Sequence, residues 1–353
     1  METVFLRTAP GLEDLVKQEA LVLIQKETGD SRVKARSGKG WVEIASPLSL
    51  VPEELFPALS TVYRAMVLRS IVPRGDGKPD SQALAAVRKG GFNDLRHNSP
   101  FRITCYAPAE ASGTRRLVEQ VIGTEAVRES GAPVNLTRYD INYGIEFLDE
   151  RIFFGSIFKD EDETPRYRKT FQVRSSVKPH IAASMLRLIG FVTKPGVLLD
   201  PCCGSGTILL EAAATHAGTR LYGVDVDSLC AQGAQKNLLA LFPDQMGSRI
   251  YQGDARKLEE LFPANSIDYL VTNPPFGIRT GTRINFYWFY RELLKGANRL
   301  LSSTGRIALL VGRQRGIFNR AVKEDGNFKT IHIRVIDASG LFPALYVLSR
   351  KPR

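Results

Sequence analysis

The C-terminal half of the chain alternates short apolar runs with helical patterns, and this alternation limits the folds open to it. The apolar runs include GVLLD at 196–200, RLYGVDVD at 220–227 and IDYLVT at 267–272, with helical patterns between them. Buried strands that alternate with helices form a parallel sheet covered on both faces. The pattern predicts a doubly wound, Rossmann-like α/β unit. A terminal hairpin at 328–350 is expected to add antiparallel edge strands.

The N-terminal half follows a different pattern. Strand and helix patterns alternate irregularly as far as residue 131, and a strand pair with a polar turn follows at 137–159. This mixture predicts α+β units in place of a doubly wound sheet. The stretch 51–68 is predicted to be a helix with strand-like ends. The stretch 160–179 changes from acidic to basic and contains two prolines, so we expect it to connect the two halves.

Length and composition limit the classes of protein to which the chain can belong. The 353 residues are enough for about two to three domains. No run approaches the ~18 apolar residues of a membrane span. The N-terminus lacks the charged and apolar regions of a signal peptide, so we expect a cytoplasmic protein. The four cysteines and four histidines lack the spacing of metal ligands, and no metal site is predicted.

The net charge of +11 suggests a polyanionic partner, and this charge is unevenly distributed. Residues 1–175 contain 25 Lys and Arg against 24 Asp and Glu, a net charge of +1. Residues 176–353 contain 23 against 13, a net charge of +10. The basic excess therefore lies almost wholly in the C-terminal half. Together with the motifs below, it favours a nucleic acid over a merely solvated basic surface.

A glycine-rich turn follows the first apolar run. The segment LLDPCCGSGTILLEAA places Gly204 and Gly206 between a strand and a helix. Glycines at such a turn let the backbone approach a ligand, and the helix N-terminus offers free amides. The third glycine of a dinucleotide fingerprint is replaced by Leu209, and no P-loop lysine is present. The turn therefore favours a nucleotide that is not bound through a pyrophosphate.

Acidic residues end three successive predicted strands: Asp200, Asp225 and Asp254. Asp225 follows Gly206 by 19 residues, and an acid at this position accepts hydrogen bonds from ribose hydroxyls. Asp254 can accept a hydrogen bond from an adenine amino group. Each aspartate by itself could be a helix cap. Because ligands of open α/β sheets bind where such strand ends meet, the three together predict a nucleotide site.

The motif Asn273-Pro274-Pro275-Phe276 ends a fourth predicted strand. Proline lacks an amide donor, fixes its own backbone and holds the preceding residue extended, so this loop is predicted to be rigid, with outward carbonyls. The Asn273 side-chain oxygen and the Pro274 carbonyl could accept both protons of an exocyclic amine and orient its lone pair toward a methyl donor. Phe276 could stack on an extruded base. A rigid structural loop is the alternative.

Residues beside these motifs have simpler interpretations. Arg279 and Arg283 could contact phosphates or be solvated. The aromatic cluster at 286–290 is interpreted as helix core in preference to a platform for bases. We expect Ser176 to be a helix cap and His180 to be a surface residue.

The glycine turn and the strand-end aspartates resemble the motifs of class I S-adenosylmethionine-dependent methyltransferases, with D-P-C-C-G-S-G-T as the first motif. The resemblance implies S-adenosylmethionine as cofactor, with Gly204, Ser205 and Gly206 near its amino-acid part, Asp225 near its ribose and Asp254 near its adenine. NAD is the alternative ligand. The implied cofactor-binding residues are Asp200, Pro201, Gly204, Ser205, Gly206, Thr207, Asp225, Val226, Asp254, Ala255 and Asn273.

The sequence T-N-P-P-F at 272–276 is similar to the motif of methyltransferases that act on exocyclic amino groups of bases. That resemblance implies a catalytic set of Asn273, Pro274, Pro275 and Phe276.

The N-terminal half adds a narrower resemblance. The stretches at 100–127 and 133–157 are similar to a THUMP domain, an RNA-binding module. The whole chain thus resembles THUMP-containing RNA guanine-N2 methyltransferases, especially those that modify the tRNA acceptor stem. The domains implied are a ferredoxin-like domain at 1–70, a THUMP domain at 71–165, a linker at 166–180 and a Rossmann-like methyltransferase domain at 181–353.

The function that this resemblance implies is formation of N2-methylguanosine in tRNA, at position 6 of the acceptor stem, by a monomeric enzyme. Guanine-N2 methylation of ribosomal RNA, adenine-N6 methylation of a nucleic acid and a non-catalytic RNA-binding role are the alternatives. The segment 166–174, which is rich in basic and aromatic residues, is interpreted equally as an RNA contact or a solvated connector. Candidate RNA contacts in the near-neutral N-terminal half are Lys89, Arg115, Arg116 and Arg128.

Overall fold

The computed structural model of the protein describes residues 2–29, 33–45, 52–107, 112–277, 281 and 283–351. The chain divides into two compact units, and each contains a seven-stranded sheet. The first unit consists of Met1–Thr8 and Val16–Pro165, and the second of Ala9–Leu15 and Arg166–Arg353. No pattern in the sequence indicates that the short segment Ala9–Leu15 belongs with the second unit.

The sheet of the first unit is mixed. Its strands are β1 (Thr3–Arg7), β2 (Lys34–Gly38), β3 (Trp41–Ala45), β4 (Arg64–Pro73), β5 (Phe101–Tyr106), β6 (Ile141–Leu148) and β7 (Arg151–Asp160). They lie in the order β2-β3-β1-β4-β7-β6-β5, and the neighbours are antiparallel except for the parallel pair β5 and β6. The predicted strand pair with a polar turn is formed by β6 and β7.

Helices accompany this sheet. They are α1 (Glu13–Thr28), α2 (Pro52–Leu55), α3 (Pro79–Gly90) and α4 (Ser112–Ser130). The helix predicted at 51–68 is wrong beyond a short 3₁₀ turn that ends at Ala58. Its predicted strand-like C-terminal end is present, because the chain from Arg64 pairs as strand β4 with β1 and β7. The predicted domain boundary after residue 70 lies inside β4. The division of this unit into ferredoxin-like and THUMP domains stays a prediction.

The second unit has the predicted doubly wound sheet. Its strands are β8 (Leu198–Asp200), β9 (Leu221–Asp225), β10 (Arg249–Gln252), β11 (Ile267–Thr272), β12 (Leu301–Val311), β13 (Phe328–Val335) and β14 (Ala344–Arg350). They lie in the order β10-β9-β8-β11-β12-β14-β13, and the first five are parallel. The terminal hairpin is present, but β14 lies between β12 and β13 and is antiparallel to both. Of the two hairpin strands, only β13 therefore lies at an edge of the sheet.

Helices cover both faces of this sheet, because successive strand residues point to opposite sides. The helices are α5 (Pro179–Ile189), α6 (Thr207–Thr215), α7 (Ser228–Leu241), α8 (Phe286–Leu300) and α9 (Arg315–Asp325). Leu198 packs in the core with α5, α6 and α7, whereas the next residue, Leu199, packs in the core with α8 and α9. In the described part of the chain, no helix is long and apolar enough to cross a membrane.

Candidate functional site

The strand order reverses direction between β8 and β11, which are neighbours although a long stretch of chain separates them. Such a place in the sheet is called a switch point. Open α/β sheets bind ligands in the crevice at the carboxyl ends of the strands beside such a point. Asp200 ends β8, Asp225 ends β9 and Asn273 directly follows β11. Asp254 lies two residues beyond the end of β10. The order of the strands thus brings the predicted site residues to one edge of the sheet.

The glycine turn between β8 and α6 depends on two left-handed backbone conformations. Gly204 has φ +54° and Gly206 has φ +82°, values that side chains with a Cβ rarely adopt. A Cβ on Gly206 would also lie 3.3 Å from the Cβ of Ala234 on α7. A Cβ on Gly204 would meet no described atom within 4 Å, so there is open space above the backbone of this residue. The turn therefore lies closely on α7 at one glycine and leaves room for a ligand at the other.

Asp225 ties the glycine turn to the end of β9. Its Oδ2 accepts a hydrogen bond from the Gly204 amide at 2.8 Å, and its Oδ1 accepts one from the Asp227 amide at 3.0 Å. The Cys203 amide strengthens the connection by donating to the Val224 carbonyl at 3.0 Å. A carboxylate has about four acceptor positions. Asp225 therefore retains capacity to accept hydrogen bonds from a ligand, and the adjacent Val226 is 73% exposed.

Asp254 has a partner that the sequence interpretation missed. The Arg256 guanidinium donates to both of its carboxylate oxygens, with Nε–Oδ1 at 2.9 Å and Nε–Oδ2 at 3.0 Å. This hydrogen bonding lowers the pKa of Asp254 and keeps the carboxylate charged. The following residue, Ala255, is buried. Asp254 and Arg256 are two positions apart in the sequence, and this spacing could have indicated a local ion pair.

Asp200 and Pro201 form the buried start of the glycine turn. The Oδ1 atom of Asp200 accepts a hydrogen bond from the Cys202 amide at 3.1 Å. Burial raises the pKa of Asp200 to about 7, because the charged carboxylate loses its hydration. Asp200 therefore shapes the turn from beneath.

The Asn273-Pro274-Pro275-Phe276 loop lies at the end of β11, as predicted. The Asn273 Nδ2 atom donates to the Ser175 carbonyl at 3.4 Å, which leaves the Oδ1 atom to accept a proton from a ligand. Pro274 is buried and Pro275 is half-buried. The Phe276 carbonyl accepts a hydrogen bond from Gln314 Nε2 at 2.8 Å.

Phe276 is half-buried, and its ring passes close to Gly312, where a Cβ would come within 2.9 Å of Cγ. Gly277 has φ +72° and allows the chain to turn after the motif. Arg283 is exposed. The predicted contact residue Arg279 lies outside the described residues. The ring of Phe276 is therefore held in place on one side while part of it stays accessible.

Residues 166–177, here called the connecting segment, contribute contacts that the sequence interpretation missed. Asn237 of α7 accepts hydrogen bonds from the Thr170 and Phe171 amides at 3.0 and 3.1 Å. Its Nδ2 atom donates to the Phe171 carbonyl at 2.8 Å and to the Ser205 carbonyl at 3.1 Å. One buried side chain thus links the connecting segment to the glycine turn.

Further side chains of the connecting segment meet the same turn. Lys169 Nζ donates to Thr207 Oγ1 at 2.6 Å and to Ser205 Oγ at 3.3 Å. The hydroxyls of Ser176 and Ser205 are 2.7 Å apart. Ser176 is therefore not a helix cap, since Lys178 occupies that position before α5. This part of the segment is neither solvated nor free to contact RNA with those atoms.

Two other expectations about individual residues change with the structure. His180 is buried in α5 and is not a surface residue. In the aromatic cluster on α8, Phe289 and Tyr290 are core residues as predicted, but Trp288 is 53% exposed. The helical period explains this difference, because three consecutive residues cannot all face the core.

These residues form a site that fits S-adenosylmethionine. The open space above Gly204 admits a ligand to the backbone, and the Asp225 and Asp254 carboxylates lie at the two strand ends beyond it. Asn273 offers a free acceptor at the neighbouring strand end. A doubly wound sheet with this strand order and these groups at its switch point defines a class I methyltransferase.

Comparisons with known proteins agree with this class. Residues 165–343 match the UPF0020 family, described as an RMKL-like methyltransferase domain. The chain is 32% identical to a tRNA (guanine(6)-N2)-methyltransferase of Thermus thermophilus, over 97% of this chain and 98% of the relative. The chain belongs to the UPF0020 family of methyltransferases.

Further relatives cover nearly the whole chain. An enzyme of the same description from Archaeoglobus fulgidus is 24% identical over 96% of this chain and 90% of its own length. The crystal structure of TrmN from Thermus thermophilus matches with a TM-score of 0.74 and 26% identity, over 99% of this chain and 100% of that chain. The similarity therefore includes the first unit as well as the methyltransferase unit.

Proposed function

We propose that the protein transfers a methyl group from S-adenosylmethionine to the N2 atom of a guanosine in tRNA, at position 6 of the acceptor stem. The observation that carries the proposal is the Asn273-Pro274 acceptor pair beside the glycine turn at the switch point of the sheet. The substrate part is supported by relatives described as tRNA (guanine(6)-N2)-methyltransferases along nearly the whole chain.

In the proposed mechanism, orientation of the amine supplies much of the rate enhancement. The guanine N2 amine is a weak nucleophile, because its lone pair is delocalised into the ring. The Asn273 Oδ1 atom and the Pro274 carbonyl accept its two protons and direct the lone pair away from the ring. The bound cofactor supplies a methyl group that is already activated. No strong general base is needed before the transfer, and positioning of the reactants is sufficient to lower the barrier.

Pro275 and Phe276 complete the proposed catalytic set. Pro275 keeps the backbone of the loop rigid, so that the Pro274 carbonyl stays in one direction. The accessible part of the Phe276 ring stacks on the guanine after the base has left its helix. Position 6 lies within a paired stem, so the target base must be extruded to reach the loop.

The proposed cofactor contacts follow the strand ends. The amino-acid part lies against Gly204, Ser205, Gly206 and Thr207, above the turn formed by Asp200 and Pro201. Asp225 and Val226 contact the ribose, Asp254 and Ala255 contact the adenine, and Asn273 borders the methyl group. The assignment is supported by the positions of these residues around the switch point.

The first unit is proposed to bind the RNA through a THUMP domain at 71–165, after a ferredoxin-like domain at 1–70. The linker at 166–180 and the methyltransferase domain at 181–353 complete the proposed division. A relative from Bos taurus whose description includes THUMP3 is 25% identical over 72% of this chain, which supports the assignment. A monomeric state and a cytoplasmic location are part of the same proposal.

The test is methyl transfer from S-adenosylmethionine to unmodified tRNA transcripts, followed by nuclease digestion and mass spectrometry of the fragments. N2-methylguanosine at position 6 is the expected product. Methylation at position 10 would instead assign the activity of relatives described as tRNA (guanine(10)-N2)-dimethyltransferases, three of which match 47%, 54% and 55% of this chain. Labelling of ribosomal RNA, or of adenine, with no product in tRNA would refute the proposed substrate.

Asn273→Ala tests the proposed catalytic role. Loss of one acceptor for the amine should lower kcat by about 10²-fold, in line with the removal of one stabilising group from an active site. Binding of S-adenosylhomocysteine should change less than about twofold. Asn319→Ala, at an exposed position on α9, is the matched control and should behave as wild type. An equal loss of turnover and cofactor binding would contradict the role given to Asn273.

A further inference from the structure

A small group of charged side chains surrounds the start of α6. Arg166 Nη1 lies 2.9 and 3.0 Å from the two carboxylate oxygens of Glu211, which is buried. Lys169, three residues after Arg166, extends to the hydroxyls of Ser205 and Thr207. Glu211 acts on both basic groups, because it forms an ion pair with Arg166 and its charge favours the protonated form of Lys169. These three side chains carry two positive charges and one negative charge.

The ammonium group of Lys169 lies where a positive charge is unfavourable. Its ammonium group contacts Thr207, the first residue of α6. The N-terminal end of a helix carries a partial positive charge, so an ammonium group there is repelled unless an anion is also present. Among the described residues, no side chain caps the helix at Gly206. The hydrogen bonds of Lys169 go to neutral hydroxyl oxygens, which do not compensate its charge.

The surroundings also disfavour the charged form of Lys169. Burial lowers the pKa of Lys169 to about 8, although the nearby Glu211 carboxylate opposes this shift. The amine is still mostly protonated near pH 7. A partly buried cation that is only partly compensated by an anion is costly unless it meets an anion during function. The open space above Gly204, in the same turn, is where such an anion can enter.

We propose that Lys169 binds the carboxylate group of the amino-acid part of the cofactor. The inference rests on the proposed cofactor site and adds a residue that lies outside the glycine turn. The ammonium and the α6 N-terminus together form the positive surroundings that a carboxylate requires. Ser176, whose hydroxyl contacts Ser205, keeps the turn in the position where Lys169 reaches it. The connecting segment thereby completes the cofactor site.

The experiment compares two ligands that differ in the amino-acid part. S-adenosylhomocysteine has the carboxylate, whereas 5′-methylthioadenosine keeps the adenosine and the thioether but has a methyl group in place of the amino-acid chain. Both are titrated calorimetrically into the full-length protein and into Lys169→Met. We expect the dissociation constant of S-adenosylhomocysteine to rise about tenfold or more, and that of 5′-methylthioadenosine to change less than about twofold. Lys295→Met removes an exposed lysine on α8 and should alter neither.

The outcomes separate the two roles that Lys169 could have. An equal loss for both ligands would mean that Lys169 only supports the turn, and unchanged binding of both would mean that it plays no part; either result overturns the inference. If Lys169→Met does not fold, Lys169→Gln keeps donors for Ser205 and Thr207 without the charge, and the same selective loss is expected. Lys169→Gln with wild-type affinity for both ligands would also overturn the inference.

The same titrations distinguish this inference from the proposed function. A wild-type protein that binds neither ligand would refute the cofactor site and the role of Lys169 together. A wild-type protein that binds S-adenosylhomocysteine but does not methylate tRNA would leave the role of Lys169 standing and remove the proposed substrate.

Discussion

Replacement of Asn237 by alanine should loosen the connecting segment from the glycine turn. Asn237 is 1% exposed, and its amide group joins three backbone positions. It accepts from the Thr170 and Phe171 amides and donates to the Phe171 and Ser205 carbonyls, at 2.8–3.1 Å. Alanine keeps the helix but removes all four of these hydrogen bonds. The backbone groups at the other ends of these bonds must then find water or stay unpaired.

The cost can be worked out from the surroundings of each bond. The bond to the Ser205 carbonyl is buried, and a buried polar group without a partner costs about 1–3 kcal/mol. The bonds to Thr170 and Phe171 are half-buried, so water can replace Asn237 there and each loses about 0.5–1 kcal/mol. One buried bond and three half-buried bonds together give a loss of about 2.5–6 kcal/mol. For a unit of this size, ~1 kcal/mol lowers the melting temperature by about 2–4 °C.

The assay is differential scanning calorimetry of the full chain, with the transition of the second unit identified by its shift on addition of S-adenosylhomocysteine. We expect the melting temperature of that transition to fall by at least about 5 °C in Asn237→Ala. The ligand should also bind more weakly, because Ser205 loses its tether. Asn319→Ala is the control for loss of an exposed amide. A shift below about 2 °C would refute the assignment of Asn237 as the link between segment and turn.

Two further variants test the site and the first sheet. Asp225→Asn should raise the dissociation constants of S-adenosylhomocysteine and 5′-methylthioadenosine alike by about tenfold, since both ligands contain the ribose. Weaker binding of S-adenosylhomocysteine alone, as expected for Lys169→Met, would contradict the ribose assignment. Gly155→Ala would bring a Cβ to 2.2 Å from the Val67 carbonyl oxygen. Urea unfolding should therefore show the first unit destabilised by more than about 2 kcal/mol. Gly123→Ala is the control on α4, where a Cβ meets nothing within 4 Å, and it should be neutral or stabilising. Equal stability of the two glycine variants would refute the close packing at Gly155.

The sequence was sufficient to predict the parallel part of the second sheet, because local patterns determine that part. The strands β8 and β9 are short apolar runs that end in Asp200 and Asp225, and β11 is an apolar run that Asn273 follows. Crossover connections between parallel strands also have one hand. The ends of these strands must then meet at one edge, so the pattern alone was enough to place Asp200 and Asp225 there. The position of β14 inside the sheet could not be deduced, because either order of a hairpin satisfies the same alternation.

Other features depend on contacts between distant residues. The segment 51–68 has helical spacing, but from Arg64 on it pairs with β1 and β7, and tertiary pairing overrides local propensity. From its composition, the connecting segment was interpreted equally as an RNA contact or as a solvated connector. Its Phe171 ring instead lies where a Cβ on Gly233 would come within 2.2 Å, so the glycine on α7 is what admits the ring. No local pattern relates residues so far apart in the chain.

The carboxylates at the strand ends explain why the proposed chemistry relies on orientation. Asp225 and Asp254 already accept hydrogen bonds from the glycine turn and from Arg256, and Asp200 is buried beneath the turn. None of these three acids is left to act as a strong base toward an amine at Asn273. The groups that remain are neutral acceptors, which suit a nucleophile that loses its proton only after the methyl group is transferred. In the proposed mechanism, the amide oxygen of Asn273 and the fixed carbonyl of Pro274 select an exocyclic amine, because both of its protons can be accepted at once.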